Sequence, residues 1–381
     1  MYLIEPMTSI FHPRVTGPWP SWIWRQTPDL EVPRSNRGGP ATSFSLSNIT
    51  IAYLKGLKQL FLLELSRCWE AKPLQINSRC VSCLISRAFQ EVELATTNLD
   101  HQLEAMTEVV GILHNSLTKG GRMEKIPAYV GTLRDHSIQR ITGCSDPYAK
   151  LKQKSNETAL KIVPFLEDFV TQVQDLRQRF RRACMAASLG NIIEYGVAGH
   201  EIPWDNMAAL ISQTEEELAV DHVHLLYQRA RKAKTILYLT DNAGEVVFDR
   251  LLINTLIELG TKVTVAVKGA PVLNDAMLTD AKAAGVVDIT EVITTGGGAV
   301  GVLPQWCSRE FLDRFKTTDL VIAKGMGHHE TLPEFTLPAP TAHLLRTKCE
   351  PVARSLNISK GRNVVKLLVN HQGPLGPLIG S

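Results

Sequence analysis

An aspartate and an asparagine stand side by side at positions 241 and 242, inside the stretch ILYLTDNAGEVVFD (Ile236–Asp249). Side-chain oxygens of this kind are ligands for a hard divalent cation. The residues around them give the pair a position. Ile236 to Leu239 is an apolar run that predicts a buried strand, Thr240–Gly244 is a polar turn, and Glu245 opens a helix with apolar residues at Leu252, Ile253, Leu256 and Leu259. Strand, tight turn and helix make the start of a βα unit, and ligands of open α/β sheets sit at the carboxyl ends of strands. Asp and Asn are also common turn formers and helix caps, which explains one such pair without any ligand.

Three further strands are predicted downstream, and each ends on polar residues. Lys262–Val267 runs into Lys268-Gly-Ala-Pro-Val-Leu-Asn274-Asp275, with a helix expected over Ala276–Ala284. Ile289–Ile293 runs into Thr294-Thr-Gly296-Gly297-Gly298, and Asp319–Ala323 runs into Lys324-Gly-Met-Gly-His328-His329-Glu330. Four polar strand ends in succession point to one shared cleft. By residue type, Asp241, Asn242 and Asp275 offer oxygens to Mg²⁺ or Mn²⁺. Lys268 and Lys324 offer positive charge to phosphate, and Gly296 and Gly297 offer backbone N–H groups to an anion, although flexibility alone also accounts for the glycines. A dinucleotide site is disfavoured because Asp241–Val246 holds a single glycine, and no Walker A motif occurs. A last strand, Asn363–Val369, is expected to close the sheet edge.

The elements that must position these residues divide the chain into an irregular extension over 1–45, a helical domain over 46–230 and an α/β domain over 231–375. The extension is rich in proline and tryptophan. The helical region shows periodic segments at Val81–Thr97, Leu103–Ser116, Asn156–Ala187 and Thr214–Lys232, a capping-box pattern at Ser212–Glu215, and no β-rich stretch. Gly190-Asn191 reads as a junction between helices or as a close approach to a ligand. Cys80-Val-Ser-Cys83 opens a helix, which would lower both thiol pKa values; packing, half of a metal site and redox chemistry all fit the pair.

Composition excludes several classes. The 41 basic and 38 acidic residues leave a net charge of +3, too weak a bias for a nucleic-acid binder. No apolar run of about 18 residues lacks charge, so no membrane span is expected. Seven sparsely spaced cysteines argue against a disulfide scaffold and for a reducing, cytoplasmic compartment. Oligomeric state is not encoded in any readable pattern.

In order along the chain, CVSC at Cys80–Cys83, TGCSDPY at Thr142–Tyr148, AASLGNIIEYG at Ala186–Gly196, TDNAGEVVFD at Thr240–Asp249, KGAPVLNDAMLTDA at Lys268–Ala281, DLVIAKGMGHHE at Asp319–Glu330 and LLRTKCEPVA at Leu344–Ala353 resemble the motifs of the metal-dependent damage-control phosphatases, first catalogued as a domain of unknown function, DUF89. The resemblance spans about residues 75 to 375, and the CxxC pair is similar to that of the stand-alone microbial branch. It implies a Rossmann-like α/β/α sandwich joined to an N-terminal all-helical domain, with the cleft between them. It implies Asp241, Asn242 and Asp275 as metal ligands, Lys324 on the substrate phosphate, Gly190-Asn191 facing the cleft, and Glu245 holding the loop or a water. One divalent ion (Mn²⁺, Mg²⁺, Co²⁺ or Ni²⁺) is the implied cofactor. The chain departs from the family at His328-His329, where an Asn and an aromatic are frequent, at Glu194, where Asp is usual, and in its long leader. A histidine there could add a nitrogen ligand, or could have no catalytic duty.

The reading that unites these signals is a divalent-metal phosphatase acting on phosphate monoesters of small metabolites, such as sugar phosphates or phosphorylated cofactor precursors. The alternatives are a metal-dependent protein carboxyl methyltransferase, an activity attached to the family name, and a non-catalytic protein that binds a phosphorylated metabolite. No glycine-rich nucleoside-binding loop supports methyl transfer.

Overall fold

The computed structural model describes residues 72–197 and 207–379, and within them the side chains of residues 191–197, 207 and 208 are outside the description. The expected extension over residues 1–45 lies outside the described residues.

Among the described residues helices come first: α1 (Ser78–Ala95), α2 (Leu99–Thr118), α3 (Pro127–Thr142), α4 (Ala149–Thr171), α5 (Leu176–Val197) and α6 (Met207–Glu216). Asn77 and Asn98 accept hydrogen bonds from the first-turn N–H groups of α1 and α2, which fixes where both begin. Gly143, with φ of 71°, ends α3 in the left-handed conformation that glycine adopts without Cβ strain. The first three helices share a core of their own, including Leu84, Ala88, Val92, Val109, Leu113 and Ile138.

Alternating strands and helices follow: β1 (Leu218–Asp221), α7 (Val223–Ala230), β2 (Thr235–Leu239), α8 (Glu245–Glu258), β3 (Lys262–Val267), α9 (Leu278–Ala283), β4 (Glu291–Thr294), α10 (Arg309–Thr317), β5 (Leu320–Lys324), α11 (Gly325–Thr331), β6 (Thr341–Arg346), α12 (Glu350–Ser355) and β7 (Asn363–Leu368). The strands form one sheet in the order β1-β7-β6-β5-β2-β3-β4, parallel except for the β6–β7 pair. Side chains alternate across it. Ile236, Tyr238, Val263, Val265, Leu320 and Ile322 face one core with α4, α5 and α8, while Leu237, Leu239, Ala266, Val321 and Ala323 face another with Phe311 and Phe315 of α10. The result is an α/β/α sandwich with a mixed sheet, preceded by a stretch of helices.

Several sequence expectations change here. Thr214–Lys232 is not one helix, because β1 interrupts it and pairs in parallel with β7. Asn156–Ala187 is two helices. The break over residues 172–175 ends on Asp175, whose carboxylate accepts from the Gln178 N–H at 2.8 Å and starts α5. Ser212–Glu215 lies inside α6, so it caps nothing at that helix's start. Gly190 lies within α5 rather than at a junction. The strand over Asn363–Leu368 is not an edge; β1 covers it and takes the edge position.

Candidate active site

The four strands whose ends were read as a cleft are neighbours, in the order β5-β2-β3-β4. The chain leaves β2 toward β3 on one side, and later places β5 on the other. That reversal opens a crevice at the carboxyl ends of β2 and β5. Asp241 and Gly325 meet there. A Cβ on Gly325 would stand 2.0 Å from the Asp241 carboxylate, and its φ of 79° is open to glycine.

The loop after β2 is tied to the loop after β3. Asn242 and Asp275 form an isolated antiparallel bridge, the Ala276 N–H donates to the Asp241 carbonyl at 2.8 Å, and the Ala243 N–H donates to the Asn274 carbonyl at 2.9 Å. Asp241, Asn242 and Asp275 are thereby brought together from two strand ends. Asn242 and Asp275 are buried, and Asp241 is half-buried. Leu273, two residues before Asp275, has a φ of 43°, a conformation costly for a side-chain-bearing residue and typical of functional loops. From the helical side, Asn156 of α4 accepts from the Gly244 N–H at 2.6 Å and donates to Asp280 at 2.7 Å, so it clamps both loops.

Two carboxylates and an amide carbonyl are an all-oxygen donor set, and it fits a hard divalent cation. Among the described residues no group of three or more His, Cys, Asp and Glu side chains is arranged to hold a metal. A cation here therefore depends on Asn242 as well as on the two aspartates.

Lys324, at the end of β5, is fully buried. Its ammonium donates to Glu245 Oε1 at 2.5 Å, to Asp249 Oδ1 at 2.5 Å and to the Ala187 carbonyl at 3.0 Å. An ammonium has three N–H donors, and all three are engaged. Tyr238 of β2 donates its hydroxyl to Asp249 Oδ1 at 2.8 Å. Burial alone would lower the Lys324 pKa, but Asp249 and Glu245 outweigh it and hold the group above its ordinary value. Burial pushes the Asp249 carboxyl up to about 6 against the pull of Lys324. Glu245 passes the network on, because Asn242 Nδ2 lies 3.3 Å from Glu245 Oε2 and 3.0 Å from Asp241 Oδ2. The line from Lys324 through Glu245 and Asn242 ends on Asp241.

The sequence reading assigned no role to Asp249 or Tyr238. The signal was present: Asp249 is one helical turn beyond Glu245, and Tyr238 is a polar-tipped residue in a buried strand whose hydroxyl needs a partner. Gly190 is explained by the same network. A Cβ there would approach Glu245 Cγ to 2.7 Å, so its close approach is to the start of α8. The side chains of Asn191 and Glu194 lie outside the described residues.

Lys268 is buried beside Asp275, with Nζ 3.5 Å from Asp275 Oδ2 and a hydrogen bond to the Gly301 carbonyl at 2.7 Å. Gly296 and Gly297 are pressed against their neighbours. A Cβ on Gly296 would stand 2.4 Å from the Ser308 nitrogen, one on Gly297 would stand 2.7 Å from the Trp306 carbonyl, and the Gly297 carbonyl accepts from the Gly269 N–H at 3.2 Å. The glycine run thus has a packing reason as well as the anion-binding one.

His328 and His329 are buried on α11. His328 Nδ1 donates to the Lys324 carbonyl at 2.6 Å, and its Nε2 is buried without a hydrogen-bond partner. Burial, then the nearby Lys268 charge, lowers its pKa to about 3. His329 Nε2 pairs with Ser355 Oγ at 3.0 Å, and its ring lies edge-on to His343 with centroids 5.4 Å apart.

The Cys80 thiol differs from expectation. Cys80, in the first turn of α1, is buried, and Cys83, in the next turn, is exposed. Burial raises the Cys80 thiol pKa, outweighing the backbone hydrogen bond at Asn77 that would lower it. The Cys349 thiol, pushed up to about 11 chiefly by burial, lies within electrostatic reach of Glu330, Cys80 and Cys83.

Comparison with known proteins places this geometry. Residues 76–364 match the damage-control phosphatase ARMT1-like domain. An uncharacterized protein of Methanocaldococcus jannaschii is 32% identical over 302 residues, covering 78% of this chain and 97% of that protein. A damage-control phosphatase of Archaeoglobus fulgidus is 32% identical over 297 residues, covering 77% and 100%. A crystal structure of a DUF89 family protein from Pyrococcus horikoshii superposes with a TM-score of 0.67 at 32% identity, covering 78% of this chain and 99% of that one.

Proposed function

Because the chain belongs to the damage-control phosphatase family, and because Asp241, Asn242 and Asp275 converge at two adjacent strand ends, we propose that it is a divalent-metal-dependent hydrolase of phosphate monoesters of small metabolites, with sugar phosphates or phosphorylated cofactor precursors as the substrate class. Membership itself is consistent with metal-dependent phosphatase-like chemistry in general terms. The observation that carries the finer reading is the Asn242–Asp275 bridge, which unites oxygen donors that lie 33 residues apart.

Asp241, Asn242 and Asp275 would hold one cation, Mn²⁺, Mg²⁺, Co²⁺ or Ni²⁺. When bound, the cation neutralises charge on the phosphoryl oxygens and makes a water more acidic. The chain's own residues do the rest. Asp241 is the half-buried member of the set and the one that solvent reaches. Glu245, fixed by Lys324, helps to hold the Asn242 amide, which donates from Nδ2 to Asp241 and to Glu245. Lys268 supplies positive charge beside Asp275 for a phosphate oxygen. Backbone N–H groups of Gly296 and Gly297 are assigned to the substrate side of the cleft. Lys324 acts as a positioning residue, since its donors are taken by Glu245, Asp249 and Ala187. Preorganised charge of this kind supplies most of the rate in phosphoryl transfer.

Phosphate release is the test. Metal-stripped protein is given Mg²⁺, Mn²⁺, Co²⁺ or Ni²⁺ in turn, with p-nitrophenyl phosphate and a panel of sugar phosphates, nucleotides and cofactor precursors. Release that needs metal and vanishes in a folded Asp241→Ala variant is expected. No release with any metal and any substrate would contradict the assignment.

A further inference from the structure

Helix α4 buries polar side chains at its amino end. Ala159, Ile162, Val163 and Leu166 are buried further along it, and Lys152 and Asn156 are buried before them. Lys152, Ser155 and Asn156 share one face by their spacing of three and four residues. That face sits on the two loops that carry Asp241, Asn242 and Asp275. A Cβ on Gly244 would stand 2.9 Å from Ser155 Cβ and 2.9 Å from the Ser155 carbonyl oxygen. Lys152 Nζ pairs with Asp146 at 2.5 Å and lies 3.7 Å from Met277 Sδ. Asn156 reaches both loops at once, to the Gly244 N–H at 2.6 Å and to Asp280 Oδ1 at 2.7 Å.

Few side chains could replace this amide. The Gly244 N–H can only donate and a carboxylate only accepts, so Asn156 presents Oδ1 to the first and Nδ2 to the second. Aspartate would set two carboxylates against each other, and alanine would strand a donor and an acceptor in the interior. Both contacts lie next to the oxygen donors. Gly244 is two residues beyond Asn242 and caps the start of α8. Asp280 accepts the Met277 N–H on its other oxygen, Oδ2, at 2.8 Å, and so closes the turn that follows Asp275. The Asn242–Asp275 bridge joins the loops side by side, and Asn156 braces both from α4. From this double contact we propose that Asn156 is a positioning residue for the cation site. It fixes the loop that bears Asp241 and Asn242 relative to the loop that bears Asp275, and thereby sets how strongly the site prefers a small divalent ion to a larger one. A rigid oxygen set favours the smaller ion, whereas a loosened one admits Ca²⁺, whose bonds are longer and more variable. The inference rests on the reading of Asp241, Asn242 and Asp275 as cation ligands.

Binding of Mn²⁺ to the metal-stripped full chain, with Ca²⁺ as competitor, is the experiment. Asn156→Ala should weaken Mn²⁺ about 10- to 100-fold, as removal of a group that supports metal ligands does. Ca²⁺ should weaken less, so the ratio of Mn²⁺ to Ca²⁺ affinity falls. A simple loss of folded protein would instead lower the bound stoichiometry of both ions and leave the ratio alone. Asn156→Asp should be at least as impaired. Combined with Asp280→Asn it should regain wild-type affinity and ratio, because donor and acceptor then change places between the two side chains while the Gly244 and Met277 N–H groups each keep an oxygen. The exchanged pair decides the matter if Asn156→Ala does not fold. An unchanged ratio in folded Asn156→Ala, or an exchanged pair no better than Asn156→Asp alone, would overturn the proposal and leave the ligand reading intact. A wild-type chain that binds no Mn²⁺ would overturn that reading and the proposal with it.

Discussion

Lys324 shows how much a side chain's surroundings alter what its type suggests. A lysine at a strand end beside a glycine invites a phosphate, yet its ammonium sits between Glu245 and Asp249 at 2.5 Å from each, with no exposed surface. Replacing it with methionine would leave two carboxylates buried without their counter-charge, which costs about 3–5 kcal/mol. The Lys324→Met protein should therefore lose that much in urea-unfolding free energy. Asp241→Asn, at a half-buried oxygen cluster, should stay within about 1 kcal/mol of wild type. Equal midpoints for Lys324→Met and wild type would refute the buried network. Asp241, Asn242 and Asp275 were legible in the sequence because a strand end marks itself by a change from apolar to polar residues. Asp249 and Tyr238 were not, because only the packing of α8 on β2 and β5 brings them to Lys324.

At the level of the element, the join between α1 and α3 holds a second buried charge problem. Glu91 is fully buried, and neither of its carboxyl oxygens accepts a hydrogen bond. Arg134 bonds Asp135 at 2.5 Å and stands 3.4 Å from Glu91. Burial first, and then the charge of Asp135, pushes the Glu91 pKa from 4.5 up to about 10, so the acid is neutral at pH 7 in the fold. The sign follows from linkage. The folded pKa lies above the unfolded one, so this contribution is complete below pH 4.5 and is lost as pH rises toward 10. Glu91→Gln removes the titration and keeps the shape. Its urea midpoint relative to wild type should rise between pH 5 and pH 9, and a difference that stays flat would mean that Glu91 does not titrate in this range. Periodicity located α1 and α2 within four residues at each end but fused α4 with α5 and hid β1, because a four-residue edge strand between two helices leaves no period of its own.

For the molecule as a whole, the sheet order makes the cleft. Four strands predicted separately turn out to be adjacent, and the reversal between β2 and β5 sets Asp241 against Gly325. Sequence could find the strand ends but not the order, and it placed the last strand at the edge where β1 in fact lies. No helix among the described residues is long and apolar enough to cross a membrane. The histidines behind the cleft set an acid limit on the entire fold. His328 and His329 are lowered from 6.5 to about 3, chiefly by burial, and His343 is lowered further by burial and its neighbouring imidazoles. Their folded pKa values lie below the unfolded ones, so the stability they support is present above pH 6.5 and is lost as pH falls toward 3. Circular dichroism followed on acidification should show cooperative unfolding in that window, and His329→Gln should move the midpoint to lower pH. A midpoint unmoved by that change would place the acid limit elsewhere.

Asp241, Asn242 and Asp275 are proposed to hold one divalent cation together. Electron paramagnetic resonance of free Mn²⁺ in the presence of metal-stripped protein measures this without reference to any substrate. One bound Mn²⁺ per chain is expected, with affinity falling sharply in Asp241→Asn and in Asp275→Asn while both variants keep the wild-type circular dichroism spectrum. Undiminished Mn²⁺ binding in the folded double variant would show that these residues do not hold the cation.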